Sequence, residues 1–195
     1  MIALIDYGAG NTASVANVLK EISCDFKITN KIIDIDKSEK VIFPGVGDAS
    51  FAMERIRFAG LIPILREIKK PLLGICLGMQ VFCEIGKEGN VDCLGIIPGS
   101  TEIFDTSKVK VPHMGWNEVQ QTTSSKLFAG IKDNEFFYYA NSYYIPICEH
   151  TTAKTIYDVE FSSCVEKDNY YGVQFHPEKS GRAGIQLIKN FVELC

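Results

Sequence analysis

The chain has 195 residues, 46% of them hydrophobic and 23% charged, with a formal net charge of −4. This is the balance of an ordinary globular protein, long enough to bury a core as a single domain over residues 1–195. The acidic balance and the lack of a basic run exclude an extended nucleic-acid-binding footprint. The opening Met1-Ile-Ala-Leu-Ile-Asp6 carries no charged leader, and no apolar stretch nears the roughly 20 residues that cross a bilayer. The expected location is therefore the cytoplasm, away from membranes.

In chain order, Ile2–Ile5 reads as a buried strand ending at an acid and a Gly-Asn turn. Residues 11–22 place Val15, Val18, Leu19 and Ile22 at helical spacing. Strands are predicted at 25–29 and 41–43, the latter stopped by Pro44-Gly45. Residues 49–70 read as one or two helices interrupted near Gly60 and Pro63. A strand at 72–75 and a helix over 77–85 follow. Short, uniformly apolar strands alternating with helices predict a mostly parallel sheet covered on both faces. The second half is richer in Thr, Tyr, Val and Phe. Its runs near 101–104, 135–140, 152–157 and 160–175 predict antiparallel or mixed strands. Residues 121–126 read as a loop, and 182–194 as a closing helix.

Gly74-Ile-Cys-Leu-Gly78 sits where a buried strand turns into a helix. Glycines at −2 and +2 relieve crowding around a sharply turned residue, as in a nucleophile elbow with Cys in place of Ser. Cys76 would then project at the carboxyl edge of the sheet, with a helix N-terminus favouring its thiolate. The Leu77 N–H would be free to hold an oxyanion. The other six cysteines lack this setting and read as reduced core fillers.

Gln174-Phe-His-Pro-Glu178 follows a second apolar run. In an extended chain residues i and i+2 share a face, which places Glu178 beside His176 to fix its tautomer. Pro44-Gly-Val-Gly47 ends a neighbouring strand, so Gly45 and Val46 are candidates for a second oxyanion donor, after a peptide flip that glycines permit. His113 reads as structural or interfacial, and His150 as a loop residue. The three histidines are far apart and no CxxC pair occurs, so no metal site is expected. Gly8-Ala-Gly-Asn-Thr-Ala13 matches a loose dinucleotide fingerprint. The acid expected at the end of the second strand is absent, since the segment reads Lys27-Ile-Thr-Asn-Lys31.

Gly74-Ile-Cys-Leu-Gly-Met-Gln80 with His176-Pro-Glu178 resembles the class I, triad-type glutamine amidotransferases. Asp6-Tyr-Gly-Ala-Gly-Asn11, Pro44-Gly-Val-Gly47, Val111-Pro-His-Met-Gly-Trp-Asn117 and Gln174-Phe-His-Pro-Glu-Lys-Ser180 bring it closer still. They resemble the family of glutaminase subunits of imidazole glycerol phosphate synthases, over nearly the whole chain. The resemblance implies a three-layer, flavodoxin-like α/β fold. It also implies Cys76 as nucleophile, His176 as base and acid, Glu178 as its orienting partner, and Val46 and Leu77 as oxyanion donors. Gln80, Glu88, Asn141, Ser142 and Tyr143 fall where the family holds L-glutamine. Asn11, Trp116, Asn117 and Lys179 fall where it meets a (β/α)₈-barrel cyclase subunit. No cofactor is implied. One departure stands out: the family usually has His-Ser-Tyr where this chain has Asn141-Ser-Tyr143, and Asn cannot be protonated. The rival readings are a paralogous glutaminase feeding a sugar-modifying amidotransferase and a non-catalytic flavodoxin-like binding module. A pyridoxal-type glutaminase is disfavoured by Pro44-Gly-Val-Gly47.

Overall fold

The computed structural model describes residues 1–8 and 10–195. The chain runs β1 (Ile2–Ile5), α1 (Thr12–Glu21), β2 (Phe26–Thr29), α2 (Ile32–Lys37), β3 (Lys40–Gly45), α3 (Ala49–Phe58), α4 (Ile62–Glu67), β4 (Leu72–Cys76) and α5 (Leu77–Gln80). Short strands β5 (Cys83–Gly86), β6 (Val91–Asp92), β7 (Ile97–Ser100) and β8 (Glu102–Ile103) follow. Then come β9 (His113–Gln121), β10 (Glu135–Asn141), β11 (Tyr143–Pro146), β12 (Thr151–Tyr157), β13 (Val159–Lys167), β14 (Tyr170–Val173) and α6 (Gly181–Leu194). Among the described residues, no helix is long and apolar enough to cross a membrane.

The main sheet has the order β10-β9-β12-β13-β14-β4-β3-β1-β2, with β11 and β8 attached through β13. From β14 to β2 the strands pair in parallel; from β10 to β14 they pair antiparallel. The central parallel strands β1, β3 and β4 are almost wholly apolar because each serves two layers, while the edge strand β2 exposes Lys27 and Ile28. Ala3, Ile5, Val41 and Phe43 pack on one face against α3, α4 and α5. Ile2, Leu4, Ile42 and Ile75 pack on the other against α1 and α6. The fold is thus the three-layer α/β architecture that the sequence predicts, with the antiparallel strands in the C-terminal half.

Four local expectations change. A helix, α2, joins β2 to β3; parallel strands need such a crossover, and its six residues are too few to display helical periodicity. The helix predicted over 77–85 ends at Gln80. Val81, Phe82 and Cys83 are all fully buried, so their apolar run marks the core and not a helix. The chain instead turns, and the Phe82 carbonyl accepts the Ile96 and Ile97 N–H groups at 2.8 Å. The run 113–121, which carries no strand expectation in its Pro-His-Met-Gly-Trp-Asn stretch, is the long strand β9. The single run 160–175 is a hairpin, reversed at Asp168 with φ 54°. The break between α3 and α4 falls as expected, at Gly60 (φ 69°) and with Pro63 in the first turn of α4.

Candidate active site

Three parallel strands end level with one another. Gly45 of β3 lies opposite Cys76 of β4, and Val173 of β14 lies opposite Ile75. This register brings the turn after β3, the strand-to-helix turn at Cys76 and the segment after β14 to one edge. Cys76 adopts φ 54°, ψ −109°, a region that L-residues rarely occupy and that costs on the order of 1–3 kcal/mol. The flanking glycines make the turn possible. A Cβ on Gly78 would lie 1.9 Å from the Phe43 carbonyl oxygen, and one on Gly74 would lie 2.5 Å from the Gly78 carbonyl oxygen. Helix α5 is therefore pressed directly onto β3 and β4, with Leu77 as its first residue.

His176 is buried, and its main-chain N–H donates to the Tyr138 carbonyl at 2.8 Å. Its Nδ1 lies 2.8 Å from Glu178 Oε1. The pair meets across a 3₁₀ turn, Pro177–Lys179, and not along an extended segment as the i, i+2 reading assumed. Burial opposes charge on this imidazole, but Cys76 and Glu178 outweigh it and push the His176 pKa up to about 10. The imidazole is thus a favoured seat for a proton. Asn11, at the start of α1, donates from Nδ2 to the same Glu178 Oε1 at 3.2 Å. Glu178 Oε2 is buried and finds no partner among the described residues.

Cys76, His176, Val46, Leu77, Gln80, Glu88, Asn141, Ser142, Tyr143 and Lys179 line one cavity of about 450 Å³. Glu88 is fixed by accepting the Ala49 N–H at 3.0 Å, and burial raises its pKa. Val46 is exposed at the mouth, while Gly45 is buried behind it against α5. Asn141 donates to the Tyr143 carbonyl at 2.9 Å, and its Oδ1 is buried without a partner among the described residues.

Two residues expected at a partner interface are engaged internally. Asn11 holds the Glu178 carboxylate, as described. Asn117 donates to the Ile156 carbonyl at 3.0 Å and accepts the Glu118 N–H at 2.8 Å. Trp116 and Lys179 are exposed, and the Lys179 ammonium sits 5.8 Å over the Tyr138 ring. His113 lies between the Tyr139 and Tyr157 rings at 4.9 and 3.9 Å, and burial drives its pKa down to about 4. The glycines of the loose dinucleotide fingerprint, Gly8 and Gly10, turn the chain into α1 and so place Asn11; Ala9 of that motif lies outside the described residues.

Sequence reasoning missed two residues at the site. Asp48 lines the cavity and caps α3 by accepting the Phe51 N–H at 3.0 Å. Gln174 is fully buried and donates from Nε2 to Cys76 Sγ at 3.6 Å. The period-two argument applied to His176 would have placed Gln174 on the same side one step upstream.

A strained cysteine elbow facing a carboxylate-bound imidazole in a polar cavity is the chemistry of a thiol amidohydrolase. The family model for class I glutamine amidotransferases matches residues 3–195, and the chain belongs to that family. The imidazole glycerol phosphate synthase subunit HisH of Bacteroides fragilis (strain YCH46) is 47% identical over 195 residues, spanning 99% of each chain. The subunit of the same name from Buchnera aphidicola subsp. Schizaphis graminum (strain Sg) is 43% identical, again over 99% of each. The fold is similar to a crystal structure of a glutamine amidotransferase, with TM-score 0.77 and 16% identity over 100% of this chain and 98% of that one. It is also similar to the structure of PurLQS from Thermotoga maritima, with TM-score 0.73 and 19% identity over 98% and 96%.

Proposed function

We infer that this chain is the glutamine-hydrolysing subunit of an imidazole glycerol phosphate synthase, working as a single cytoplasmic domain in histidine biosynthesis. The observation that carries this reading is the meeting of Cys76, His176 and the turn after β3 at one cavity, in a chain similar to HisH subunits along its full length.

The side-chain carboxamide of glutamine enters between Val46 and Leu77. His176 takes the Cys76 proton, and the sulfur attacks the carboxamide carbon. The oxyanion forms against the main-chain N–H of Leu77 and, after rotation of its peptide, that of Val46; each such donor contributes about 3–4 kcal/mol. His176 then protonates the nitrogen, the C–N bond breaks, and ammonia leaves a glutamyl thioester. Water, deprotonated by the same imidazole, releases glutamate and frees the thiol. Glu178 holds the imidazole and balances its charge, with Asn11 fixing the carboxylate. Glu88, Ser142 and Tyr143 hold the amino-acid end of the substrate.

Free ammonia is of use only to an acceptor. Met114 and Trp116, 64% and 54% exposed, share one face of β9 and β10 with Phe136 and Tyr138. This face leads through Lys179 to the mouth of the cavity. It suits docking of the (β/α)₈-barrel cyclase subunit, which consumes the ammonia to make imidazole glycerol phosphate and an aminoimidazole carboxamide ribotide.

Glutamine hydrolysis by Cys76→Ala, measured with the barrel subunit and its ligand present, tests the reading. Turnover should fall by at least ~10³-fold. Wild-type turnover in that variant would remove the mechanism.

A further inference from the structure

The polarity of the buried wall beside Cys76 is set by one main-chain carbonyl. The Tyr143 carbonyl can only accept, so the ends of Gln80 and Asn141 that face it, at 2.7 and 2.9 Å, are their amino ends. The same Gln80 amino group has its second hydrogen directed at Gln174, 3.0 Å away, so the near atom of Gln174 is its carbonyl oxygen Oε1. The orientation of Gln174 follows. Its amino group faces the other way, onto Cys76 Sγ at 3.6 Å. Gln174 is 0% exposed and Gln80 6% exposed, so water does not compete along this chain of contacts.

A carboxamide at this position is costly to bury unless both ends are paired. An apolar side chain of the same length would fill the space without that penalty. The pairing found here has a defined sense: Gln80 donates to Gln174, and Gln174 donates to the sulfur. Gln174 reaches Sγ from the segment after β14, which also carries His176, so sulfur and imidazole are aligned from one piece of chain.

We propose that Gln174 is a sulfur-holding residue: its Nε2–H steadies the Cys76 thiolate in line for attack, and Gln80 and the Tyr143 carbonyl lock its amide in the donating orientation. The proposal rests on Cys76 being the nucleophile. It also gives Gln80 a second task besides facing glutamine. Both of its amino hydrogens are taken, so any contact it makes with substrate is through its carboxamide oxygen.

The test is the pH profile of Cys76 alkylation by iodoacetamide, followed by peptide mapping, in the intact complex of wild type, Gln174→Met and Gln174→Asn. Met keeps the length and removes the donor. Asn keeps a polar amide for Gln80 but withdraws the donor from the sulfur, so it serves if the Met variant does not fold. In whichever variant folds, the midpoint should rise by about one pH unit, as expected for loss of a hydrogen bond to a charged group. In the same variants kcat should fall about tenfold while KM for glutamine stays within about threefold. A folded variant whose midpoint matches wild type overturns the assignment. The two levels separate cleanly. If wild-type Cys76 is not alkylated ahead of the other cysteines, the nucleophile reading itself fails. If it is, and the midpoint does not move, only the role of Gln174 falls.

Discussion

The strands β14, β4, β3, β1 and β2 and the strands β10, β9, β12 and β13 belong to one sheet but solve different problems. The parallel strands inside the sheet are covered by helices on both faces and offer little to solvent except their ends; only the edge strand β2 exposes mid-strand residues, Lys27 and Ile28. The groups proposed to react gather at the strand ends: Cys76, the turn after β3 and the segment after β14. The antiparallel strands alternate. His113, Phe137 and Tyr139 point into the core, while Met114, Trp116 and Phe136 stay exposed on the opposite face. On the proposed reading, one region builds a reaction centre at an edge, and the other builds a surface. Damage to the first should appear as lost chemistry, and damage to the second as lost assembly or altered stability, with the free subunit's site intact.

The sharpest way to break that division is at Gly78. Its added methyl would lie 1.9 Å from a main-chain oxygen of β3, which cannot move aside as a side chain can. Gly78→Ala should lose about 3 kcal/mol or more of stability and most glutaminase activity, read by denaturant unfolding and by turnover. Near-wild-type values would mean that α5 does not need its close seat on the sheet.

His113 tests the other region. Its folded pKa of about 4 lies below the ordinary 6.5, so protonation favours the unfolded chain. The stability from keeping it neutral is fully present above pH 6.5 and is lost as pH falls toward 4. The loss amounts to roughly 3 kcal/mol by pH 4. His113→Phe keeps a ring between Tyr139 and Tyr157 and should flatten the stability curve over that window, without changing glutaminase turnover at neutral pH.

Glu178→Gln preserves an acceptor for His176 and Asn11 but removes the charge that supports the raised imidazole pKa. kcat should fall about 10²-fold, and the apparent pKa of the imidazole should drop from its value near 10, measurable by NMR titration of the ring. An unchanged titration would assign the shift to Cys76 alone. Trp116→Ala is the mildest change for the free chain, with stability altered by about 0.5 kcal/mol or less. Its expected effect is on binding: about 2 kcal/mol of affinity for the barrel subunit, by titration calorimetry. Unaltered affinity would move the docking surface elsewhere.

The parallel half was largely legible in the sequence, because strands buried on both faces show as short apolar runs, and β3 and β4 end at Pro or Gly signals. The elbow was legible because the glycines at 74 and 78 are required by contacts to main-chain atoms, which leave no substitute. His176 and Glu178 were legible as a pair, though their turn was not, since Pro177 suits both an extended link and a 3₁₀ start. β9 was obscured because its outward positions hold Met114 and Trp116, so the polar–apolar alternation that marks a half-exposed strand is missing. α5 was overextended because Val81 and Phe82 continue an apolar pattern that serves the core and not a helix face. Gln174 was hidden for a different reason: a buried amide declares its role only through its partners, and these lie 94 and 98 residues away. The internal engagement of Asn11 and Asn117 was equally out of reach, because an exposed and a buried asparagine look the same in sequence.

The central claim is that the sulfur of Cys76 bonds covalently to substrate. The direct measurement is rapid quenching of the complex during turnover of isotopically labelled glutamine, followed by mass spectrometry of its peptides. The account predicts a glutamyl thioester on the peptide containing Cys76 that forms and decays at the rate of turnover. Undiminished turnover with no label on that peptide, or with the label on another cysteine, would contradict it.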